Sequence, residues 1–232
     1  MNKLLTSGAV ALALIAGGAF YMTQGATTNA NGTITVPGAA VAQTQEGGET
    51  EIDTSSVVEM TMGAEDAPIE VIEYASYTCP HCASANATLI PQLKKNYVDT
   101  GKVKFTYREV YFDKYGMWAS LIARCGGPEK FFGISDMIYK AQDDFIAPAR
   151  EGDEAGVADE LRKIGRMAGL DNDQLEACLT DSTQLRTLLT WFQENATADD
   201  INSTPSFIID GEKYSNMSYA DFSEILDEKL GE

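Results

Sequence analysis

The chain has 232 residues, enough for one large domain or two small ones. Hydrophobic residues make up 44% of the chain and charged residues 22%, which is typical of a soluble globular protein. Acidic residues outnumber basic ones by 35 to 17, which gives a formal net charge of −18. Nucleic-acid binding needs clustered Lys and Arg side chains, and because the sequence has no such cluster we expect no nucleic-acid partner.

The first 25 residues are typical of an export segment. Lys3 supplies a positive charge, and the apolar run from Gly8 to Met22 contains no charged residue. The stretch fits either a cleaved signal peptide or an N-terminal membrane anchor, and both alternatives direct the rest of the chain out of the cytoplasm. Residues 26–56 are rich in small and polar residues without apolar periodicity, so we predict a flexible linker there.

Regular elements begin at Val57. The pattern predicts a strand over 57–62, a mostly apolar and buried strand over 69–75, a helix kinked at Pro91, and a strand over 103–111. A strand–helix–strand unit of this kind implies a right-handed crossover and a parallel pair of strands.

A helical region follows at about 115–199. Asp171 and Gln174 have the spacing of a capping box within it. A strand over 206–210, a short strand at 213–214 and a helix capped near Ser218 complete the chain. The predicted fold class is therefore α/β, with one mixed sheet and a helical domain inserted between its halves, all within residues 57–232.

The tetrapeptide Cys79-Pro80-His81-Cys82 lies between the second predicted strand and the first predicted helix. A CxxC at this junction is typical of a thioredoxin-like redox site. The amide groups at the helix start and the polar His81 are both expected to lower the pKa of Cys79, the predicted nucleophile. Cys82, one turn further on, is predicted to be the more buried resolving thiol.

Two other kinds of site fit the spacing of this motif less well. A static Cys79–Cys82 crosslink would stabilise the fold weakly, because so short a loop removes little entropy from the unfolded chain. A zinc site would need Cys125 and Cys178 as its other half, and these lack CxxC or CxxH spacing. We therefore predict redox chemistry, with no metal and no other cofactor.

The run from Pro68 to Cys82, with Glu73 and the CPHC motif, resembles the DsbA family of extracytoplasmic thiol-disulfide oxidoreductases. The later motif Thr204-Pro205-Ser206-Phe207, completed by Gly211, resembles one branch of that family. The resemblance covers residues 57–232 and implies a thioredoxin-like fold.

The resemblance also implies roles for three further residues. Pro205 matches a cis-proline beside the CxxC, although the sequence alone is equally consistent with an ordinary turn proline. Thr204 matches the residue whose backbone pairs with a substrate peptide. Glu73 matches a buried acid that relays a proton to or from the resolving cysteine, and burial in an apolar strand is expected to raise its pKa. The alternative for Glu73 is an exposed strand carboxylate.

Cys125 and Cys178 both fall in the helical region. Exported proteins seldom keep idle thiols, so the first expectation is a structural disulfide between them. A second redox pair that tunes the first, or two buried free thiols, are the alternatives.

The resemblance implies a monomeric periplasmic oxidase that donates its disulfide to reduced, folding exported proteins and is re-oxidised by a DsbB-like membrane partner. A disulfide isomerase or reductase is the alternative, because Thr before the proline is common in isomerase relatives. Those relatives have a folded N-terminal dimerisation domain, whereas residues 23–56 show no apolar periodicity. A thiol-based metal or peptide binding protein is the alternative from another functional class.

Overall fold

The computed structural model of the protein describes residues 52–231. The predicted signal peptide or anchor at 1–25 and nearly all of the predicted linker at 26–56 lie outside these residues. Between residues 52 and 231, no helix is both long enough and apolar enough to cross a membrane.

A five-stranded mixed sheet forms the centre of the fold, in the order β1-β3-β2-β4-β5. β2 and β3 run parallel as predicted, with Ile69 opposite Val103, and the other neighbouring strands pair antiparallel. The strands are β1 (Met60–Met62), β2 (Ile69–Ala75), β3 (Val103–Glu109), β4 (Ser206–Ile209) and β5 (Glu212–Ser215). β2 is buried between β3 and β4, which explains its mostly apolar sequence.

Helices occupy the crossover between β2 and β3, the segment between β3 and β4, and the end of the chain. The crossover contains α1 (Pro80–Thr88), α2 (Ile90–Leu93) and a π-helical turn (Lys94–Val98). The segment between β3 and β4 contains α3 (Lys114–Cys125), α4 (Pro128–Lys140), α5 (Gln142–Ile146), a 3-10 turn (Ala147–Glu151), α6 (Glu154–Met167), α7 (Asn172–Thr180) and α8 (Ser182–Ala198). The last helix is α9 (Tyr219–Leu230).

Local sequence signals explain several helix ends. The Asp171 carboxylate accepts a hydrogen bond from the Gln174 backbone amide, and the Gln174 side-chain oxygen accepts one from the Asp171 backbone amide, which is the predicted capping box. Ser218 caps α9 as predicted. The predicted kink at Pro91 is a break between α1 and α2, because proline cannot donate the backbone hydrogen bond that a continuous helix needs.

The predicted strand boundaries differ from the structure at their ends. The first strand begins at Met60 and not at Val57, because pairing with β3 starts where Met60 faces Tyr107. Val58 is 53% exposed and outside the sheet. The third strand ends at Glu109, two residues before the predicted end.

One hydrophobic core joins the sheet to the helices inserted between β3 and β4. Val71 and Phe105 of the sheet belong to the same buried cluster as Phe131, Ile134 and Ile138 of α4. α4 therefore packs against the sheet face that carries α1, whereas Phe192 of α8 packs against a second cluster that includes Tyr74 and Ile208. The predicted fold class, a thioredoxin-like mixed sheet with inserted helices, is confirmed.

Candidate active site

The CxxC motif lies where β2 gives way to α1. Cys79 is the N-cap of α1, and Pro80 occupies the first helical position, where a missing amide hydrogen costs nothing. The Cys82 amide donates to the Cys79 carbonyl at 3.1 Å, which closes the first turn. Both cysteines are free thiols in this structure.

The two thiols have opposite environments although they are one helical turn apart. Cys79 is half-buried, and Cys82 is fully buried with its sulfur 3.5 Å from the Ser76 amide, which donates to it. The hydrogen bond from the Cys82 thiol lowers the pKa of Cys79 to about 5, against the opposing effect of burial. The same hydrogen bond, burial and the nearby Glu73 raise the pKa of Cys82 far above its ordinary range. At neutral pH the pair therefore consists of one thiolate and one thiol.

His81 contributes to this electrostatic environment through its backbone. Its backbone amide is among the groups that lower the pKa of Cys79, and its side chain is exposed. The helix geometry directs this backbone amide toward the Cys79 sulfur, and the contribution of the imidazole stays a prediction.

Thr204 and Pro205 lie beside Cys79. The peptide bond between them is cis, and the Cys79 sulfur lies 3.6 Å from the Thr204 carbonyl oxygen. Thr204 also lowers the pKa of both active-site cysteines. Its hydroxyl oxygen is buried, and no hydrogen-bond partner for it exists among the described residues. The hydroxyl is therefore free to turn toward a sulfur anion.

Glu73 is buried in the centre of β2, with 3% of its surface exposed. It faces Tyr107 of β3 and Phe207 of β4 in the sheet register. Burial raises the pKa of Glu73 to about 8, so the carboxyl is mostly protonated at neutral pH. Its charge influences the pKa of Cys82, so the acid and the buried thiol are electrostatically coupled.

Gln142 of the inserted helices holds the loop before Cys79. Its side-chain amide donates to the Tyr77 carbonyl at 2.8 Å and to the Cys79 carbonyl at 3.0 Å. Sequence reasoning missed this residue, because nothing in the local pattern around residue 142 indicates a contact with a segment more than sixty positions away.

Asp113 supports the same loop from the start of α3. One carboxylate oxygen accepts from the amides of Tyr115 and Gly116, and the other accepts from the Thr78 hydroxyl at 2.7 Å. The capping role could have been found from an Asp directly before a helix. The contact with Thr78 depends on the fold.

Four hydroxyl groups form two buried hydrogen bonds next to the site. The Tyr107 and Tyr139 hydroxyls are 2.6 Å apart, and so are the Tyr77 and Ser135 hydroxyls. Each pair joins the sheet side to α4, and sequence reasoning identified neither pair.

Cys125 at the end of α3 and Cys178 in α7 are joined by a disulfide bond, with an S–S distance of 2.08 Å. Within residues 52–231, no cluster of three or more His, Cys, Asp or Glu side chains has a geometry suited to a metal ion.

The fold and the paired thiols together define a thioredoxin-like protein with a CxxC redox site. More narrowly, the chain belongs to the thioredoxin family, since a family model described as thioredoxin matches residues 55–228.

Relatives refine this assignment. A putative protein-disulfide oxidoreductase of Rickettsia bellii is 33% identical over 75% of this chain and 65% of its own length. This chain spans 61 to 65% of the length of the curated Rickettsia relatives that it matches.

Solved structures agree on the architecture. Wolbachia pipientis alpha-DsbA1 superposes with a TM-score of 0.67 at 23% identity, over 75% of this chain and 91% of that chain. A structure described as protein-disulfide isomerase from Novosphingobium aromaticivorans has a TM-score of 0.67 at 26% identity, over 75% of this chain and 98% of that chain. The predicted resemblance to DsbA-type proteins is confirmed.

Proposed function

We propose that the protein is an extracytoplasmic thiol-disulfide oxidoreductase that donates the Cys79–Cys82 disulfide to folding proteins. The asymmetry of the two thiols carries this proposal. A stabilised Cys79 thiolate stabilises the reduced enzyme, and a stable reduced form makes the disulfide form a strong oxidant. The names of the R. bellii relative and of the DsbA structure support the same reaction class.

The reaction proceeds through a mixed disulfide on Cys79. A substrate thiolate attacks the half-buried Cys79 sulfur, the Cys79–Cys82 bond breaks, and Cys82 takes up a proton. The second substrate thiolate then attacks the substrate sulfur of the mixed disulfide and releases Cys79 as a thiolate. The substrate is oxidised by two electrons, and the enzyme disulfide is reduced by two.

Three residues complete the proposed site. Glu73 supplies the proton that Cys82 takes up, because its raised pKa keeps the buried carboxyl protonated near neutral pH. Thr204 and Pro205 bind the substrate peptide beside the mixed disulfide, with the Thr204 backbone as the pairing partner. The contact between the Cys79 sulfur and the Thr204 carbonyl supports this assignment.

The reduced enzyme has to pass two electrons to an oxidant before the next cycle. A DsbB-like membrane partner is proposed for this step, and reduced exported proteins are the proposed substrates. The Cys125–Cys178 disulfide supports a location outside the cytoplasm, because such bonds persist in oxidising compartments. The apolar run from Gly8 to Met22 supports export to the periplasm.

Isomerase or reductase activity is the second candidate. Thr204 precedes the cis-proline, as is common in isomerase relatives, and the N. aromaticivorans structure is described as a protein-disulfide isomerase. The two candidates use the same thiols and differ in the reduction potential of the pair.

The equilibrium constant of the full-length protein with glutathione separates the two directions. We expect the Cys79–Cys82 disulfide to be reduced readily by glutathione, and a strongly reducing pair would contradict the oxidase. The mixed-disulfide step is tested on the reduced protein with a single-cysteine peptide activated as its mixed disulfide with thionitrobenzoate, which leaves as a thiolate when Cys79 attacks the peptide sulfur, and is followed by mass spectrometry. Cys79→Ser should abolish exchange, whereas Cys82→Ser should trap the peptide on Cys79. Equal behaviour of the two variants would contradict the assigned roles.

A further inference from the structure

Gln142 is a buried polar side chain to which the reaction proposed above gives no role. It occupies the first position of α5, and Phe145 of the same helix is fully buried in the core. Gln142 is only 8% exposed, whereas its neighbours Asp143 and Asp144 are exposed. Burying an amide costs free energy unless the amide is hydrogen-bonded, so the partners of Gln142 decide what it does.

Both hydrogen-bond donors of the Gln142 side chain go to the loop before α1. The amide nitrogen donates to the Tyr77 carbonyl at 2.8 Å and to the Cys79 carbonyl at 3.0 Å. An amide nitrogen carries two N–H groups, so these two bonds use both of them. The Thr78 residue between the two carbonyls is held separately, because its hydroxyl donates to Asp113 at 2.7 Å. The backbone that leads into the CxxC motif is therefore fixed from α5 and from the start of α3.

The direction of the Cys79 carbonyl is coupled to the position of the Cys79 sulfur. Cys79 is the N-cap of α1, with φ −88° and ψ 119°, and its carbonyl accepts from the amides of Cys82 and Ala83. A short side chain in this conformation lies over the first helical turn, within reach of its backbone amides. The amides of His81 and Cys82 are among the groups that lower the pKa of Cys79. A donor that fixes the Cys79 carbonyl therefore also keeps the sulfur over these amides.

The two redox forms depend on this restraint to different extents. In the oxidised protein the covalent Cys79–Cys82 bond itself holds the Cys79 sulfur at the start of α1. In the reduced protein that bond is absent, and the Cys79 sulfur is a thiolate at neutral pH. Donors stabilise an anion best when they are already aimed at it, so a fixed backbone favours the reduced form more than the oxidised form.

We propose that Gln142 is a positioning residue that stabilises the reduced form of the CxxC motif by holding the Cys79 carbonyl. Through this side chain, the inserted helices make the Cys79–Cys82 disulfide a stronger oxidant. In the function proposed above, on which this role rests, Cys79 reacts as the thiolate. Gln142 acts through the backbone of Cys79 and exchanges neither electrons nor protons.

The test compares two substitutions in the full-length protein. Gln142→Met removes both donors and keeps the length and approximate volume of the side chain, and the two residues have similar helix propensities. Gln92→Met is the matched control. Gln92 of α2 is exposed, and its side-chain amide also donates to a backbone carbonyl, that of Thr88 at 2.7 Å.

The first measurement is the equilibrium constant of the Cys79–Cys82 pair with glutathione, from acid-quenched samples analysed by mass spectrometry. In Gln142→Met we expect the equilibrium to shift about tenfold toward the disulfide, and the pKa of Cys79 to rise by about one unit. Gln92→Met should match the wild type. A purely structural role would destabilise both redox forms equally and leave the equilibrium constant unchanged, so an unchanged constant in Gln142→Met overturns the proposal.

The second measurement follows the position of the sulfur by NMR. In the wild type, the amide signals of His81 and Cys82 should shift as Cys79 ionises, because the sulfur lies over them. In Gln142→Met these shifts should be smaller. A raised pKa of Cys79 with unchanged amide shifts would mean that the Gln142 dipole acts on the thiolate directly, and this result would also overturn the positioning role.

Gln142→Asn replaces Gln142→Met if that variant does not fold. It keeps the amide but shortens the side chain by one methylene, so the amide no longer reaches both carbonyls. A shift of the glutathione equilibrium toward the disulfide supports the proposal, and an unchanged equilibrium overturns it. A failure of the proposed function is distinguishable, because it appears in the wild type as a strongly reducing pair or an unreactive Cys79.

Discussion

Among single residues, Cys79 and Cys82 show how one helical turn separates two chemistries. Cys79 caps α1 and is accessible, and Cys82 points into the core beside Glu73. The hydrogen bond between the thiols lowers the pKa of one and raises the pKa of the other. A substrate therefore exchanges its disulfide with Cys79 and not with Cys82, because only the Cys79 sulfur is accessible.

Replacing Thr204 with Val should weaken thiolate stabilisation at Cys79. Thr204 lowers the pKa of both cysteines, and its buried hydroxyl has no other partner among the described residues. We expect the pKa of Cys79 to rise by about one unit or more, since a hydrogen bond to a charged group contributes about 1.5–3 kcal/mol. Thiolate absorbance at 240 nm against pH measures the shift, and an unchanged titration would contradict the role of the hydroxyl.

Glu73 should make folding stability depend on pH. Its pKa is raised from 4.5 to about 8 in the folded protein. Below pH 4.5 the carboxyl is protonated in both states and has no effect. Between pH 4.5 and 8 the unfolded chain ionises first, so the folded state loses stability as the pH rises.

In Glu73→Gln this loss disappears, so the variant should gain stability relative to the wild type as the pH rises from 5 to 8. The free energy of unfolding in urea measures it, with the protein oxidised so that neither Cys79 nor Cys82 titrates. Glu70→Gln is the matched control, because Glu70 lies exposed on the same strand. Parallel curves for wild type and Glu73→Gln would show that Glu73 is not buried as a neutral acid.

At the scale of elements, a few side chains hold the inserted helices to one another and to the loop before Cys79. The Cys125–Cys178 bond joins the end of α3 to α7. Asp113 at the start of α3 and Gln142 in α5 hold the loop before Cys79 through Thr78 and the Tyr77 and Cys79 carbonyls. The inserted helices therefore act on the active site through hydrogen bonds as well as packing.

Removing the Cys125–Cys178 disulfide should lower the free energy of unfolding by about 4 kcal/mol in the chain-entropy model. The reason is that this disulfide closes a long loop, with a sequence separation of 53 between its cysteines. The variant is Cys125→Ala with Cys178→Ala, measured by urea denaturation. Cys79→Ala with Cys82→Ala is the control, compared with the protein in which Cys79 and Cys82 are oxidised to a disulfide, and it should lose much less, because the loop of that disulfide is so short. Equal losses would argue against a stabilising role for the longer loop.

For the whole molecule, a buried ion pair ties three parts of the chain together. Arg124 of α3 donates to Glu109 of β3 at 2.6 and 2.7 Å, and to the Val58 carbonyl before β1 at 2.9 Å. The two charged side chains are 6% and 1% exposed. The Arg124 guanidinium therefore links α3 to the sheet and to the segment before β1.

Arg124→Met should cost about 3–5 kcal/mol of stability, because it leaves the Glu109 charge buried without its partner. Arg162→Met removes a comparable contact on the surface, where Arg162 meets Glu176 at 2.6 Å. That variant should lose less than about 1 kcal/mol. Thermal unfolding of both variants measures the difference, and similar losses would show that burial does not strengthen this contact.

Much of the fold follows from the sequence alone. The period of apolar residues and the turn signals predicted every strand of the sheet, the parallel pair and the helices between β3 and β4. Their ends shifted by a few residues, as for β1 at Met60, because pairing with a neighbour decides where a strand begins. The CxxC motif and its position before a helix were likewise visible, because both are local patterns.

Other features were decided only by the tertiary structure. Three of them join segments that are distant in sequence: the hydrogen bond from the Gln142 side chain to the loop before Cys79, the Tyr107–Tyr139 hydroxyl pair, and the pocket lined by Glu73. No local period or spacing records such contacts. The sequence determined which chemistry two thiols could perform. The tertiary structure decided their different pKa values, because it places Thr204 and Glu73, which are distant in sequence from one another, beside the two sulfurs.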